Sequence, residues 1–194
     1  MAKTATPYGL KAVNHVGGTP YAGSTRLLPI ASGYASNLFN GQVVQIETDG
    51  TVGLTTAFGV GVIGVFVGCT YTDPSTKQLT FNNMWPTGTV ASDAKAYVID
   101  DPDVVYMAQA DGSVTQADLG QNTDFAAAQS TTTGVLINGN STSAVESTTA
   151  ATATLPFRIV DFVDSPTSTV GDEFTDVLIK FNADIHSYNN PLGV

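Results

Sequence analysis

The feature that most constrains the fold is an apolar stretch, residues 60–70, which contains no charged side chain. It is built from Val, Ile, Phe, Gly, Cys and one Thr, and β-branched residues of this kind favour extended backbone. Because apolar residues follow one another without polar alternation, the stretch predicts a central strand that is buried on both faces. Its glycines predict bulges or close approach of a neighbouring strand. They also break the stretch, which is too short for a membrane span, so no membrane partner is expected.

Shorter strands are predicted on both sides of this central strand. Residues 42–47, 95–99, 104–109, 157–163 and 176–184 are rich in β-prone residues, and turn-forming residues separate them. Only 12% of the residues are charged and 19 are glycines, a composition poor in the residues that build amphipathic helices. The chain of 194 residues is therefore expected to be all-β, a β-barrel or β-sandwich of about ten short strands.

Two Asp-Gly pairs predict tight turns. Asp49 and Gly50 lie between two β-prone segments, which is a strong signal for a hairpin. Asp111 and Gly112 repeat the same local sequence and predict a second turn of this kind. Residues 118–129 are expected to hold one short helix at most.

The chain is expected to have two parts. Residues 1–40 are rich in Gly, Pro, Ser and Thr and show no helical or strand period. This predicts an extended N-terminal arm that becomes ordered on a partner. Residues 41–194 form the predicted β-rich body. Within it, 12 of the 25 residues from 130 to 154 are Ser or Thr, which predicts a low-complexity insertion in the form of a loop or β-tongue.

The formal net charge of −10 is unevenly distributed. The first 46 residues contain Lys3, Lys11 and Arg26 and no acid, whereas the remainder carries −13. An acidic body repels phosphate groups, so direct binding of nucleic acid is not expected. The basic leading segment suits docking on an acidic protein surface, although three cations in 46 residues are also an ordinary composition.

Neither a nucleotide site nor a metal site is predicted. Residues 59–64 match G-x-G-x-x-G, but a nucleotide site needs a helix after the glycines, and the following residues favour a strand. Asp100, Asp101 and Asp103 carry oxygens that suit a hard cation, but their spacing lacks the calcium-loop pattern. Pro102 indicates a solvated acidic turn instead, with a metal as the alternative left open. We expect no cofactor.

The residue types used in catalysis are scattered. His15 and His186 lie near opposite ends of the chain, without a neighbouring acid to orient a catalytic base, so both are expected at the surface or an interface. Cys69, the only cysteine, is expected to be a buried and inert thiol. Trp85 fits either the core or an interface anchor. No catalytic residue is assigned, and the chain is not expected to be an enzyme.

Three stretches at the beginning, middle and end of the chain carry a family resemblance. Residues 5–15 read ATPYGLKAVNH and residues 94–106 read AKAYVIDDPDVVY. The third stretch reads FRIVDF at 157–162 and is closed by VLIKFN at 177–182. Together they resemble the capsid decoration, or cement, proteins of tailed bacteriophages. The resemblance implies a structural virion protein that is made in the host cytoplasm, binds the major capsid protein at the outer capsid surface and reinforces contacts between capsid subunits.

The expected partners follow from this role. A reinforcing protein must bridge neighbouring capsid subunits, and a closed symmetric oligomer matches such junctions. A homotrimer is favoured, with a dimer as the alternative. A phage tail or host-adhesion module of β structure is the alternative function. The candidate capsid contacts are cations and anchoring side chains of the arm, namely Lys3, Tyr8, Leu10, Lys11, His15, Tyr21 and Arg26.

Overall fold

The computed structural model describes residues 4–59 and 61–193, and this part of the chain is nearly all-β, as predicted. Its one helical element is a short 3-10 turn, Gln116–Asp118. The strands in chain order are β1 (Lys11–His15), β2 (Arg26–Pro29), β3 (Leu38–Phe39), β4 (Val43–Ile46), β5 (Val52–Leu54), β6 (Val62–Thr72), β7 (Leu79–Asn82), β8 (Met84–Trp85), β9 (Lys95–Ile99), β10 (Val104–Gln109), β11 (Asn122–Thr123), β12 (Gly134–Val135), β13 (Asn140–Ser141), β14 (Phe157–Phe162) and β15 (Asp176–Phe181).

Two antiparallel sheets form a sandwich-like body. The first, which we call the five-stranded sheet, has the order β1-β10-β15-β14-β11. The second, the six-stranded sheet, has the order β2-β9-β6-β4-β5, with β7 paired to the far part of β6. One hydrophobic core lies between them and receives Tyr106, Phe157 and Ile179 from the first sheet and Val62 and Val65 from the second. Burial of apolar side chains from both sheets holds the layers together.

The six-stranded sheet is covered on its other face as well. A second core contains Ile63, Phe66 and Cys69 of β6 together with Trp85 and Leu38 from the segments that cross this face. Strand β6 therefore sends side chains into both cores, which confirms the prediction of a doubly buried central strand. Trp85 is fully buried, so of its two predicted roles the structure gives it the core position.

Of the two predicted turns, one closes a hairpin. Asp49 and Gly50 connect β4 to β5, and these strands pair antiparallel as expected. Asp111 and Gly112 follow β10, but the chain does not turn back on that strand; Ala110 instead forms a parallel bridge with Val145. The prediction of a second local hairpin was wrong because both edges of β10 are already taken by β1 and β15.

The predicted arm is part of the body from residue 10 onward. Strand β1 pairs with β10, and β2 pairs with β9. Leu10 and Ile30 are buried in the two cores, at 2% and 4% exposure. In the described structure, residues 10–40 therefore pack on the chain's own body, whereas the expectation was an arm extending from it. Strands of two to five residues are too short to show a period in the sequence, and their apolar residues fill the cores of the chain itself.

The Ser/Thr-rich insertion also folds against the body. It contains the small hairpin of β12 and β13, and Ser141, Ser143 and Val145 are buried. Residues 118–129 contain β11 rather than a helix, since the 3-10 turn ends at Asp118. Within the described ranges, no helix has the length and apolar character that a membrane crossing requires.

Candidate protein-docking face

The residues predicted to contact a capsid separate into two groups at different places on the body. Lys3 lies outside the described residues. In the first group, the hydroxyl of Tyr8 donates to Asp176 at 3.2 Å, and the Lys11 ammonium lies 4.4 Å from the centre of the Tyr8 ring. Burial and the Asp176 carboxylate raise the pKa of Tyr8. Tyr8 and Lys11 are therefore engaged with each other and with the chain, and the neighbouring Leu10 is core.

The second group surrounds the acidic turn between β9 and β10. Arg26 lies 3.3 Å from the Asp100 carboxylate, and the Tyr188 hydroxyl donates to the same carboxylate at 2.6 Å. Arg26 also donates to the Tyr188 hydroxyl and covers its ring. Partial burial and the bond to Asp100 raise the pKa of Tyr188 to about 12. The predicted solvated turn thus has side-chain partners from distant parts of the chain, Arg26 and Tyr188.

His15 and Tyr21 belong to this second group. The His15 Nδ1 lies 3.6 Å from an Asp101 oxygen, and its ring centre is 5.9 Å from that of Tyr21. On the other side, Lys180 donates to Asp103 at 2.8 Å and holds the pKa of that carboxyl below its ordinary value. Cations compete with a metal for these oxygens. Among residues 4–59 and 61–193, no three His, Cys, Asp or Glu side chains are grouped as a metal site.

His186 and Cys69, two further residues considered in the sequence, are buried in the body. His186 was expected at a surface or interface, but it is 1% exposed and packs between Phe181 and Tyr188, so that expectation was wrong. The sequence gives no sign of this because Val62, whose strand pairs with His186, is far away in the chain. Cys69 is buried as predicted, donates to the Met84 carbonyl at 3.3 Å, and has its pKa raised to about 12 by burial.

A group of exposed apolar side chains lies on the six-stranded sheet. We call it the apolar face and define it by Leu27 of β2, Leu79 and Phe81 of β7, and Tyr97 of β9. Leu79, Phe81 and Leu27 are 76%, 67% and 53% exposed. Tyr97 lies opposite Leu27, and its ring centre is 5.5 Å from that of Phe81. These side chains thus form one row across neighbouring strands.

The register explains why the row is continuous. Tyr97 pairs with Gly68 of β6, where a Cβ would lie 3.1 Å from the Asn82 carbonyl oxygen and in van der Waals contact, at 3.4 Å, with the Phe81 ring. The absence of a side chain at Gly68 leaves room for the two rings to approach each other across β6. Alternate residues of β9, Ala96 and Val98, point to the second core, so Tyr97 points to the opposite side. The rings therefore lie over a glycine, and Phe81 stays exposed there.

The rim of the apolar face carries charges of both signs. Arg26 and Lys95 are neighbours of Leu27 and Tyr97 along their strands, and Lys77 precedes β7. The nearby acids are engaged locally: Asp93 accepts hydrogen bonds from Thr72, and Asp73 accepts from backbone amides of its own loop. These bonds lower the pKa of both carboxyls. A partner with polar side chains around an apolar patch matches this mixed rim.

Sequence reasoning missed the apolar face. The signal that could have found it is the alternation of Leu79, Thr80, Phe81 and Asn82, which is typical of a strand with one apolar side. Four residues are a short pattern, and their pairing with the distant end of β6 is a property of the tertiary structure. Among the predicted contacts, Arg26 alone adjoins this face in sequence.

Comparisons with protein-family models, with curated proteins and with solved structures found no match to this chain.

Proposed function

We propose that this chain is a structural virion protein that binds the outer surface of a phage capsid and reinforces contacts between major capsid subunits. The observation that carries the proposal is the apolar face of Leu27, Leu79, Phe81 and Tyr97 on a sheet of paired strands. Contiguous apolar surface of this kind, with polar residues at its rim, is typical of a protein-docking site.

The composition of the face suits an anchor for a protein partner. Aromatic residues are among the commonest energetic anchors of interfaces, and Phe81 and Tyr97 supply two of them on this face. Each large apolar side chain that moves from water into an interface contributes about 1.5–3 kcal/mol. A few such anchors give modest affinity for one copy, and many copies on one particle bind its surface multivalently.

The sheet also reduces the cost of binding. Leu27, Tyr97 and Phe81 stand on strands that are hydrogen-bonded to neighbours, so little backbone freedom is lost when a partner covers them. A rigid β body that spans adjacent subunits resists their separation. For this bridging role we propose self-association, with a homotrimer favoured over a dimer, and the outer capsid surface as the location.

A binding experiment with stripped particles tests the proposal. Particles from which the protein has been removed are mixed with the wild-type chain or with the double variant Leu79→Ser, Phe81→Ser. We expect the variant to bind at least tenfold more weakly, because the apolar anchors are lost. The matched control is Leu119→Ser, since Leu119 is also exposed but lies in the 3-10 turn region, away from the face. Unchanged melting of each variant shows that binding, not folding, is affected.

The same particles test the reinforcing role. Stripped particles are expected to burst at lower temperature or weaker osmotic shock, and the wild-type chain should restore their resistance while the double variant does not. Equal fragility with and without the chain would reject the function. Labelled chain found on the tail rather than the capsid would favour the host-adhesion alternative.

A further inference from the structure

Strand β7 has one side without a partner strand. Its residues pair with the far part of β6, and no other strand pairs with β7 among residues 4–59 and 61–193. Two residues of this short strand, Leu79 and Phe81, are 76% and 67% exposed. We call the unpaired side of β7 the free edge. A free edge presents backbone donors and acceptors to which a further strand can add.

The backbone groups at the free edge belong to Leu79 and Phe81. The Gln78 carbonyl accepts a hydrogen bond of 2.9 Å from an amide on the β6 side of the hairpin. The Asn82 carbonyl oxygen would lie 3.1 Å from a Cβ on Gly68 of β6. Both carbonyls therefore point toward β6. Because backbone groups alternate in direction along an antiparallel strand, those of Leu79 and Phe81 point away from β6, into the free edge.

The free edge lies in a part of this acidic chain that contains no acid. Residues 74–92 carry one charged side chain, Lys77, whereas the whole chain has a net charge of −10. The Lys77 amide donates to the Asp73 carbonyl, so both charges stand together in the loop at one end of β7. The Thr72 amide points away from β7 and donates to Asp93, which places that carboxylate on the other side of β6. Two copies can therefore meet edge to edge without burying a carboxylate.

We propose that the free edge of one copy pairs antiparallel with the free edge of a second copy. The two outward residues are two positions apart, so Leu79 of each copy lies opposite Phe81 of the other and exchanges backbone hydrogen bonds with it. Thr80 then faces Thr80 of the second copy on the twofold axis. The same patch serves both copies, which makes the contact self-complementary. The six-stranded sheets of the two copies become one continuous sheet.

This register keeps the apolar faces of both copies on one side of the joined sheet. Residues directly opposite each other in a sheet share a face, so Leu79 and Phe81 of the two copies form a single row. The proposal rests on the self-association proposed above and names the contact that produces it. It favours the dimer over the trimer, because a contact between identical patches closes with two copies. A dimer with two apolar faces on one side is suited to holding two neighbouring capsid subunits.

A cysteine on the twofold axis tests the register. In Thr80→Cys the two thiols belong to a directly opposed pair without backbone hydrogen bonds, whose Cα atoms are about 4.5 Å apart, and a disulfide can join them. We expect oxidised glutathione to convert this variant into a covalent dimer. The matched control is Gln78→Cys, because the exposed Gln78 precedes β7 and its two copies are displaced by roughly 14 Å along the strands. It should stay monomeric on a denaturing gel, and the buried Cys69 is common to both variants.

Further substitutions test the association without a cross-link. Thr80→Lys places two like charges opposite each other on the axis, and light scattering should show dimerisation at least tenfold weaker than that of the wild type. Leu79→Pro and Leu79→Ser both lose the leucine side chain, but only proline also lacks the outward amide, so Leu79→Pro should associate more weakly than Leu79→Ser. Val170→Lys is the control, because Val170 is exposed and lies outside β7; it should dimerise like the wild type. Unchanged melting of each variant shows that its fold is intact.

Three results would overturn the edge contact. They are a wild-type chain that is monomeric at all concentrations, a trimer that Thr80→Lys leaves intact, and cross-linking of Thr80→Cys no faster than that of Gln78→Cys. The proposed function fails in a different way. A chain that dimerises through the free edge in solution but does not bind stripped particles would uphold the edge contact and reject the capsid role.

Discussion

Gly64 of β6 lies so close to Ile99 of β9 that a Cβ on Gly64 would stand 1.9 Å from the Ile99 carbonyl oxygen. The backbone of Gly64 also has a φ of +147°, which residues with a side chain rarely adopt. Gly64 precedes Val65, which pairs with Ile99 near the centre of the six-stranded sheet. The close approach of these two strands therefore depends on glycine.

We predict that Gly64→Ala strongly destabilises the fold, by at least about 3 kcal/mol, because a backbone atom of a buried strand cannot move aside cheaply. Gly50→Ala is the matched control: Gly50 has a φ of +78° but no atom within 4 Å of its Cβ position. It should cost only about 1–2 kcal/mol, from backbone conformation alone. Urea unfolding of both variants measures the difference, and equal losses would contradict the steric explanation.

A substitution at Leu10 tests whether the leading segment packs into the core of the body. Because Leu10 is buried in the core between the sheets, Leu10→Ala is expected to lower the free energy of unfolding by about 2–5 kcal/mol. Val13→Ala, on the same segment but 42% exposed, should change it by less than about 1 kcal/mol. Thermal or urea unfolding of the chain without particles is the measurement. A Leu10→Ala variant as stable as the wild type would return Leu10 to its predicted role as an external anchor.

Because His186 is buried, the stability of the fold is expected to depend on pH. Burial lowers its pKa below 6.5, although the Ile63 carbonyl and the nearby carboxylates act in the opposite direction. Its Nδ1 accepts from the Tyr188 amide, and its Nε2 has no hydrogen bond of normal geometry with any described residue. The folded chain thus binds this proton less readily than the unfolded chain. The contribution of His186 to the free energy of unfolding is fully present above about pH 6.5. It is lost as the pH drops from there toward the pKa of the folded state, by at most about 1.4 kcal/mol per pH unit.

The variant His186→Asn keeps an acceptor for the Tyr188 amide but cannot titrate in this range. Its unfolding free energy, measured from pH 7.5 to 4.5, should lack the part of the decline that begins near pH 6.5. Parallel curves for the variant and the wild type would show that His186 is not the titrating group.

The burial of Cys69 predicts that its thiol reacts slowly with thiol reagents. Its side chain is fully buried and its pKa is raised to about 12, so very little reactive thiolate is present at pH 8. A thiol reagent is expected to modify the native chain only as fast as the chain opens, and to modify the urea-unfolded chain at once. Rapid modification of the native chain at pH 8 would place Cys69 at the surface.

Local sequence patterns identified most of the long strands. The unbroken apolar residues of β6 predict a doubly buried strand, and the alternation of Val177, Ile179 and Phe181 predicts the buried face of β15, as found. The Asp49-Gly50 turn likewise predicts the hairpin of β4 and β5. These features follow from residues close together in the chain, because strand preference, side-chain alternation and turn geometry are properties of a few consecutive residues.

The tertiary structure alone decided what each surface meets. The leading segment pairs with β10 and β9, so Leu10 became core and Arg26 became a partner of Asp100. The apolar face exists because β7 folds back on β6 and leaves Phe81 exposed beside Tyr97. The period of apolar residues in a sequence is a property of a few consecutive residues. The neighbours of a residue across a sheet depend instead on which distant strands pair and how far each layer extends. Short strands carry too little pattern to specify either.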